Sequence, residues 1–361
     1  MGLTAAALDQ LCRELAGPGY ALTELSGAQA VLSRYQRSTE DAIVGHRVLA
    51  DRWVIKAKAP GRAVRERLEA TYRRFDPRLA DAQRALSPSL LDDCHTRELA
   101  IYELASPALR AIAPAIERVW RDPAADIYVI VMERLTGVRH ASTLDDLDVW
   151  QPDDIAAALA GIARVHGELL GAPPACVVPF GELHTPSLRA YQAALLRYNA
   201  DAFPALFDAP RVRRLEALLE ATPRRLRAIA QRPLTLIHGD FTPRNICLRA
   251  DGRLCAYDWE LAQAHLPARD VCELLCYVLD PARGWRHPIT TRLLEGYRGA
   301  LAAATGQPIE PEAFVHELAL AGAELCTFKL LVQGITHQLL GNRRYFERMV
   351  HNAFAFMEVF V

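Results

Sequence analysis

The chain has 361 residues, 51% apolar and 24% charged, with 42 Lys+Arg against 43 Asp+Glu and a net charge of −1. That is the composition of a folded chain long enough for two lobes, not of a disordered one, and it gives no global field for nucleic acid. Eight cysteines without a CxxC pair predict reduced core thiols in a cytoplasmic protein, not a disulfide framework.

The start, MGLTAAALDQLCREL, carries Asp9 and Glu14 and does not read as a signal peptide. Nowhere do 18 apolar residues run together, so no membrane partner is expected. Residues 5–16 read as an amphipathic helix. Three β-type runs follow at 21–25, 30–35 and 52–57. Residues 61–87 are Arg-rich and helical in pattern, interrupted at Pro77; the simplest reading is a solvated face with no assigned role. Residues 92–105 predict a helix with acids at its start, and Ile127–Met132 a buried strand. After Gly137 the pattern turns helical, at 152–170, 186–230 and 290–361, around one β-type island at 234–258. The boundary falls near 133–137. The expected architecture is α+β and bilobal, with a β-rich lobe over 1–136 and a mainly helical lobe over 137–361.

Lysine occurs only at positions 56, 58 and 329; every other cation is Arg. In such a chain a retained lysine is informative, because a compact ammonium is a point-charge phosphate ligand that guanidinium does not copy. Lys56 stands in the apolar run Trp53-Val54-Ile55-Lys56. Lys58, two residues on and on the same face, is its rival.

The stretch that carries chemistry is His238-Gly239-Asp240-Phe241-Thr242-Pro243-Arg244-Asn245, followed by a hairpin signal at Asp251-Gly252 and then Asp258-Trp259-Glu260. Pairing 246–249 with 253–257 puts Asn245 and Asp258 at the same open end of the hairpin. An amide oxygen beside a carboxylate suits Mg²⁺. Asp240, on the adjoining loop, supplies a second carboxylate. Such a set meets the needs of phosphoryl transfer: one group accepts the hydroxyl proton, and two hold the metal on the phosphates.

HGDFTPRN followed by DWE resembles the aminoglycoside phosphotransferase and choline kinase group, which has a protein-kinase-like fold. The resemblance implies Asp240 as catalytic base, Asn245 and Asp258 as Mg²⁺ ligands, and His238 as a brace of the loop. It implies ATP as donor, with Lys56 on the phosphates and Glu98, in Arg97-Glu98-Leu99, orienting that lysine. Met132-Glu133-Arg134-Leu135 resembles an interlobe hinge, where backbone groups of Glu133 and Leu135 would meet adenine. Val165-His166-Gly167 resembles a helix packing on the catalytic loop. Arg244 stands between two roles, steadying the γ-phosphate or forming a surface ion pair. A GxGxxG is missing; the first turn offers only Gly27.

Eleven residues lie between Asp258 and Asp270, where the next helix already begins. That leaves no room for a peptide-docking activation segment, so the expected acceptor is the hydroxyl of a small molecule: an amino alcohol, a sugar or an antibiotic-like compound. Asp270 and Glu273 are candidate acceptor contacts, with a helix cap as the alternative for Asp270. From residue 137 onward acids and bases number 25 and 23, which argues against a strongly cationic acceptor. The alternatives are a nucleotide-binding pseudokinase scaffold, disfavoured by the presence of Asp240, Asn245 and Asp258, and a kinase acting on a protein.

Overall fold

Side chains alternate along a strand, and in the first lobe that alternation separates a core from a cleft. The computed structural model of the chain describes residues 2–24, 43–141 and 146–361. Helix α1 (Ala5–Ala16) is capped by Thr4, whose hydroxyl accepts from the Ala7 N–H at 3.2 Å. It precedes β1 (Leu22–Glu24), β2 (Gly45–Leu49) and β3 (Trp53–Ala57). Helices α2 (Gly61–Tyr72), α3 (Pro77–Ala85), α4 (Cys94–Tyr102) and α5 (Pro107–Ile112) follow, then β4 (Ile116–Asp122) and β5 (Ile127–Glu133). The five strands make one antiparallel sheet in the order β1-β2-β3-β5-β4.

On one face of this sheet Ile55, Val129 and Val131 pack with Leu8, Leu11 and Cys12 of α1. On the other, Val54, Ile130 and Met132 pack with Leu99 of α4. Lys56 is paired in register with Ile130 and shares the parity of Val54. The pleat therefore turns it toward α4 and away from the α1 core.

Chain order in the second lobe runs α6 (Pro152–Glu168), β6 (Val178–Pro179), α7 (Phe180–Leu183), α8 (Pro186–Ala202), α9 (Ala209–Glu220), α10 (Thr222–Ala230) and β7 (Thr235–Ile237). The hairpin β8 (Ile246–Leu248) and β9 (Leu254–Ala256) leads to β10 (Gln263–His265). Helices α11 (Ala268–Val278), α12 (Pro288–Thr305), α13 (Pro311–Thr327), α14 (Lys329–Leu340) and α15 (Arg343–Phe360) complete it. Most of the core lies here, around α6, α11 and α13.

Several elements differ from the sequence expectation. The strand expected at 30–35 and the turn at Gly27 lie outside the described residues. Helix α5 and strand β4 fall in a stretch that had suggested neither. β4 is an edge strand with Glu117, Arg118 and Arg121 exposed, so the apolar alternation that marks a strand is half missing. The β-type island is larger than 234–258: β10 pairs antiparallel with β7 and parallel with β6. The run Pro311–Leu339 is long and apolar enough to cross a membrane, yet 78% of that window is buried inside the protein. It consists of α13 and α14, broken at Phe328.

Candidate active site

The loop between β7 and β8 is held from below. Gly239 takes φ 74°, and a Cβ there would lie 2.2 Å from the Leu261 carbonyl oxygen, so only glycine fits. Asp270, in the first turn of α11, accepts the backbone N–H groups of His238 at 2.7 Å and Gly239 at 3.1 Å, and meets His166 Nε2 at 3.2 Å. Burial works to raise its carboxyl pKa, but the His166 hydrogen bond and the loop contacts outweigh it and hold the pKa below its ordinary value. Asp270 is thus no acceptor contact, contrary to the sequence expectation; it is fully buried beneath the loop and fixes its path. His238 bridges the loop to the hairpin: Nε2 donates to the Tyr257 carbonyl at 3.0 Å, and Nδ1 accepts from the Asp240 N–H at 3.3 Å.

Asp240 stands at the crest of this loop, 4% exposed. Lys329 donates to its Oδ1 at 2.6 Å; Arg244 and the Asn245 amide each donate to Oδ2 at 2.6 Å. Burial works to raise this carboxyl, yet Lys329 and Arg244 together drive its pKa far below the ordinary range. A carboxylate offers about four lone-pair sites, and three are taken. The remaining site, on Oδ1, can receive one hydroxyl.

Asn245 and Asp258 lie at the open end of the hairpin, where the Tyr257 N–H donates to the Asn245 carbonyl at 3.0 Å. With its amide nitrogen on Asp240, Asn245 has its side-chain oxygen to offer a cation. Asp258 adopts φ 68°, ψ 54°, a left-handed conformation that Asp tolerates better than most residues. Its N–H donates to the Tyr102 hydroxyl at 3.3 Å. Such a backbone costs about 1–3 kcal/mol and is concentrated at functional sites.

Opposite, Lys56 donates to both Glu98 oxygens, at 2.7 and 2.8 Å, and to Asp258 at 2.5 Å. Lys58 also pairs with Glu98, and with Glu260 at 2.7 Å. The two lysines are therefore not alternatives: both enter the cleft and share one buried acid. Burial would weaken either ammonium, but Asp258 and Glu98 around Lys56, and Glu260 and Glu98 around Lys58, hold both well above the ordinary lysine range. Glu98, Asp258 and Glu260 bring carboxylate oxygens within 4.8 Å of one another. Hard oxygen donors in that number suit Mg²⁺. Replacing Glu98 with Gln should lower folding stability by about 3 kcal/mol or more, since it strips one partner from two buried ammonium groups. Urea unfolding measures this; a midpoint equal to wild type would mean that the cluster does not hold α4 in place.

Glu133 and Leu135 lie where the chain leaves β5. The Glu133 N–H already donates to the Ala115 carbonyl at 2.8 Å, so its carbonyl is the group a nucleotide could meet. Its side chain is anchored by Arg249 at 2.5 Å. Leu135 is half-buried on the connection between the lobes. Arg244 is largely buried against Asp240, not part of a surface ion pair.

Two participants escaped the sequence reading, and a third was given another role. Glu260 belongs to the DWE motif but had no assigned role. Lys329 arrives from 89 residues away, and Glu273, a candidate acceptor contact by sequence, is instead fully buried between Lys329 at 3.1 Å and Arg269 at 3.1 Å. The one available signal was Lys329 itself, the third lysine in an Arg-rich chain.

Residues 33–312 match the phosphotransferase enzyme family, APH. Among solved structures, choline kinase LicA from Streptococcus pneumoniae is similar at 12% identity, over 96% of this chain and 99% of that one, with a TM-score of 0.52. LicA in complex with AMP gives 12%, 97%, 98% and 0.51. The GDP complex of wild-type aminoglycoside 2'-phosphotransferase-IIIa gives 12%, 98%, 98% and 0.49. At these identities the likeness to LicA is one of fold. No curated protein sequence matches the chain.

Proposed function

The chain belongs to the phosphotransferase enzyme family, and from that premise we propose that it transfers the γ-phosphate of ATP, held with Mg²⁺, to a hydroxyl of a small molecule. In this reading residues 1–136 form the nucleotide-binding lobe and 137–361 the lobe that carries the catalytic loop and the acceptor. The observation that carries it is the meeting of Asp240, Asn245 and Asp258, from one loop and one hairpin end, with Lys56 held by Glu98 across the cleft.

Each residue has a task set by its surroundings. Asp258 and the Asn245 side-chain oxygen would hold Mg²⁺, with Glu260 close enough to take part. When bound, the ion neutralises charge on the phosphate oxygens. Lys56, now on Asp258, would release it and turn to the phosphates while Glu98 keeps the ammonium in place. The carbonyl of Glu133 and the backbone of Leu135 would meet adenine, and Arg244 lies near enough to Asp240 to steady the γ-phosphate.

Asp240 is too weak a base to abstract a proton early, given the cations that hold its pKa down. Its open lone-pair site instead orients the acceptor hydroxyl and takes the proton late. That suits phosphoryl transfer, whose loose transition state asks mainly for positioning and charge stabilisation. The test is transfer of label from γ-labelled ATP with Mg²⁺ onto a panel of amino alcohols, sugars and apolar alcohols. Label on at least one alcohol is expected; a chain that does not bind MgATP would end the proposal.

A further inference from the structure

Past Asp240 the cleft does not end. A chamber of about 270 Å³ continues from Lys56 and Asp258, along the catalytic loop, into the space between α2, α3, α7, α8 and α14. This is near the small end of ligand pockets. One wall comes from the Arg-rich segment 61–87. Its arginines Arg62, Arg73 and Arg84 are exposed and pair with surface acids. The opposite side of the same segment gives Leu68, Tyr72 and Leu86 to the chamber, and Leu188 of α8, Phe328 at the break before α14 and Val332 of α14 face them. The solvated face expected from sequence is only half of that segment's role.

We infer that this chamber receives the acceptor, and that the acceptor is an uncharged, mainly apolar alcohol; this rests on the phosphotransferase reading above and names its substrate class. Three observations carry it. The first is the lining, whose exposed surface is mostly apolar although charged and polar side chains stand among the aliphatic and aromatic ones. The second is charge. Among the described residues every carboxylate lining the chamber is already matched: Asp240 by Lys329 and Arg244, Asp258 by Lys56, Glu260 by Lys58, and Glu324 by Arg269 at 2.5 Å. An ammonium or polycationic guest would lose its hydration and find no free carboxylate, which is unfavourable. A neutral guest loses little and buries apolar surface.

The third observation is Gln83 of α3. It is 2% exposed, it lines the chamber, and its Oε1 has no hydrogen-bond partner among the described residues. A buried carbonyl oxygen without a donor is rare. It asks for one from the guest, so a second hydroxyl on the acceptor would meet Gln83 while the first meets Asp240.

The full chain is titrated with 2-naphthol, a neutral fluorescent alcohol, and the bound probe is challenged with 1-octanol, choline and an aminoglycoside. Choline tests the faces of Tyr72 and Tyr191 as a cation cage. Saturable naphthol binding is expected, displaced by 1-octanol but by neither cation. Leu68→Asp, with circular dichroism and thermal midpoint showing it folded, should weaken naphthol at least about tenfold by placing an unmatched charge in the wall. If that variant does not fold, Val332→Asp from the opposite wall gives the same reading. Displacement by choline or the aminoglycoside at concentrations where 1-octanol does nothing overturns the inference. So does the absence of saturable binding, or identical titration of wild type and wall variant. Naphthol binding without phosphate transfer to any alcohol would end the phosphotransferase reading and leave the chamber; transfer to choline with no naphthol binding would do the reverse.

Discussion

Replacing Asp240 with Asn is expected to lower turnover by about 10²–10⁴-fold or more while MgATP affinity stays within a few-fold of wild type. The oxygens of Asn245 and Asp258 proposed to hold Mg²⁺ are not themselves removed by the change. What is lost is the charged site proposed to receive the acceptor hydroxyl. Stability should fall as well, because Lys329 and Arg244 would face a neutral amide in place of their shared carboxylate. A lower melting temperature therefore does not separate a catalytic Asp240 from one that merely secures the loop. Nucleotide affinity does: a loop that collapsed without its Asp would lose turnover and MgATP binding together. Single-turnover rate, MgATP affinity and melting temperature measured on one preparation decide the matter, and turnover near wild type would rule out the catalytic role.

Asp258→Ala should act on the other substrate. Removing an outer-shell partner of a metal ligand typically costs about 10–100-fold in affinity, and a direct ligand should cost more. We therefore expect Mg²⁺-dependent nucleotide binding to weaken by at least about 100-fold. Binding measured with and without Mg²⁺ isolates the effect, since Lys56 and Glu98 remain and support the metal-independent part. The variant also places alanine, which tolerates a left-handed backbone poorly, at φ 68°, so circular dichroism must first show it folded. Unchanged MgATP affinity in a folded variant would sink the metal assignment.

The parts of this site legible in the sequence are those that lie close along the chain. Asp240 and Asn245 share one loop, and Asn245 and Asp258 are brought level by a hairpin that Asp251-Gly252 announces, so spacing alone predicts their meeting. Lys56 could be singled out because an ammonium on an apolar strand is conspicuous where arginine is the default. Its sharing of Glu98 with Lys58 could not, because one acid serving two cations depends on how β3 and α4 cross. Lys329 and Glu324 were hidden for a different reason. They sit in helices whose periodicity describes a core, and only the break at Phe328 aims Lys329 at the loop. The chamber is the least legible feature, since it is made by the inner faces of helices whose outer faces dominate the composition. β4 was lost to its own charges, as edge strands often are.

All three lysines of the chain are buried in the cleft, at 5%, 3% and 7% exposure for Lys56, Lys58 and Lys329. The outer surface therefore presents no side-chain primary amine, whatever its positive charge. Reagents that seek amines, such as acylating esters or aldehydes with a mild reductant, meet only the N-terminus until the lobes part or the chain unfolds. Their rate of attack at the lysines becomes a clock for opening, read residue by residue in a mass spectrum. The same scarcity makes isotopically labelled methyl groups on these three amines a nearly background-free spectroscopic view of the cleft alone.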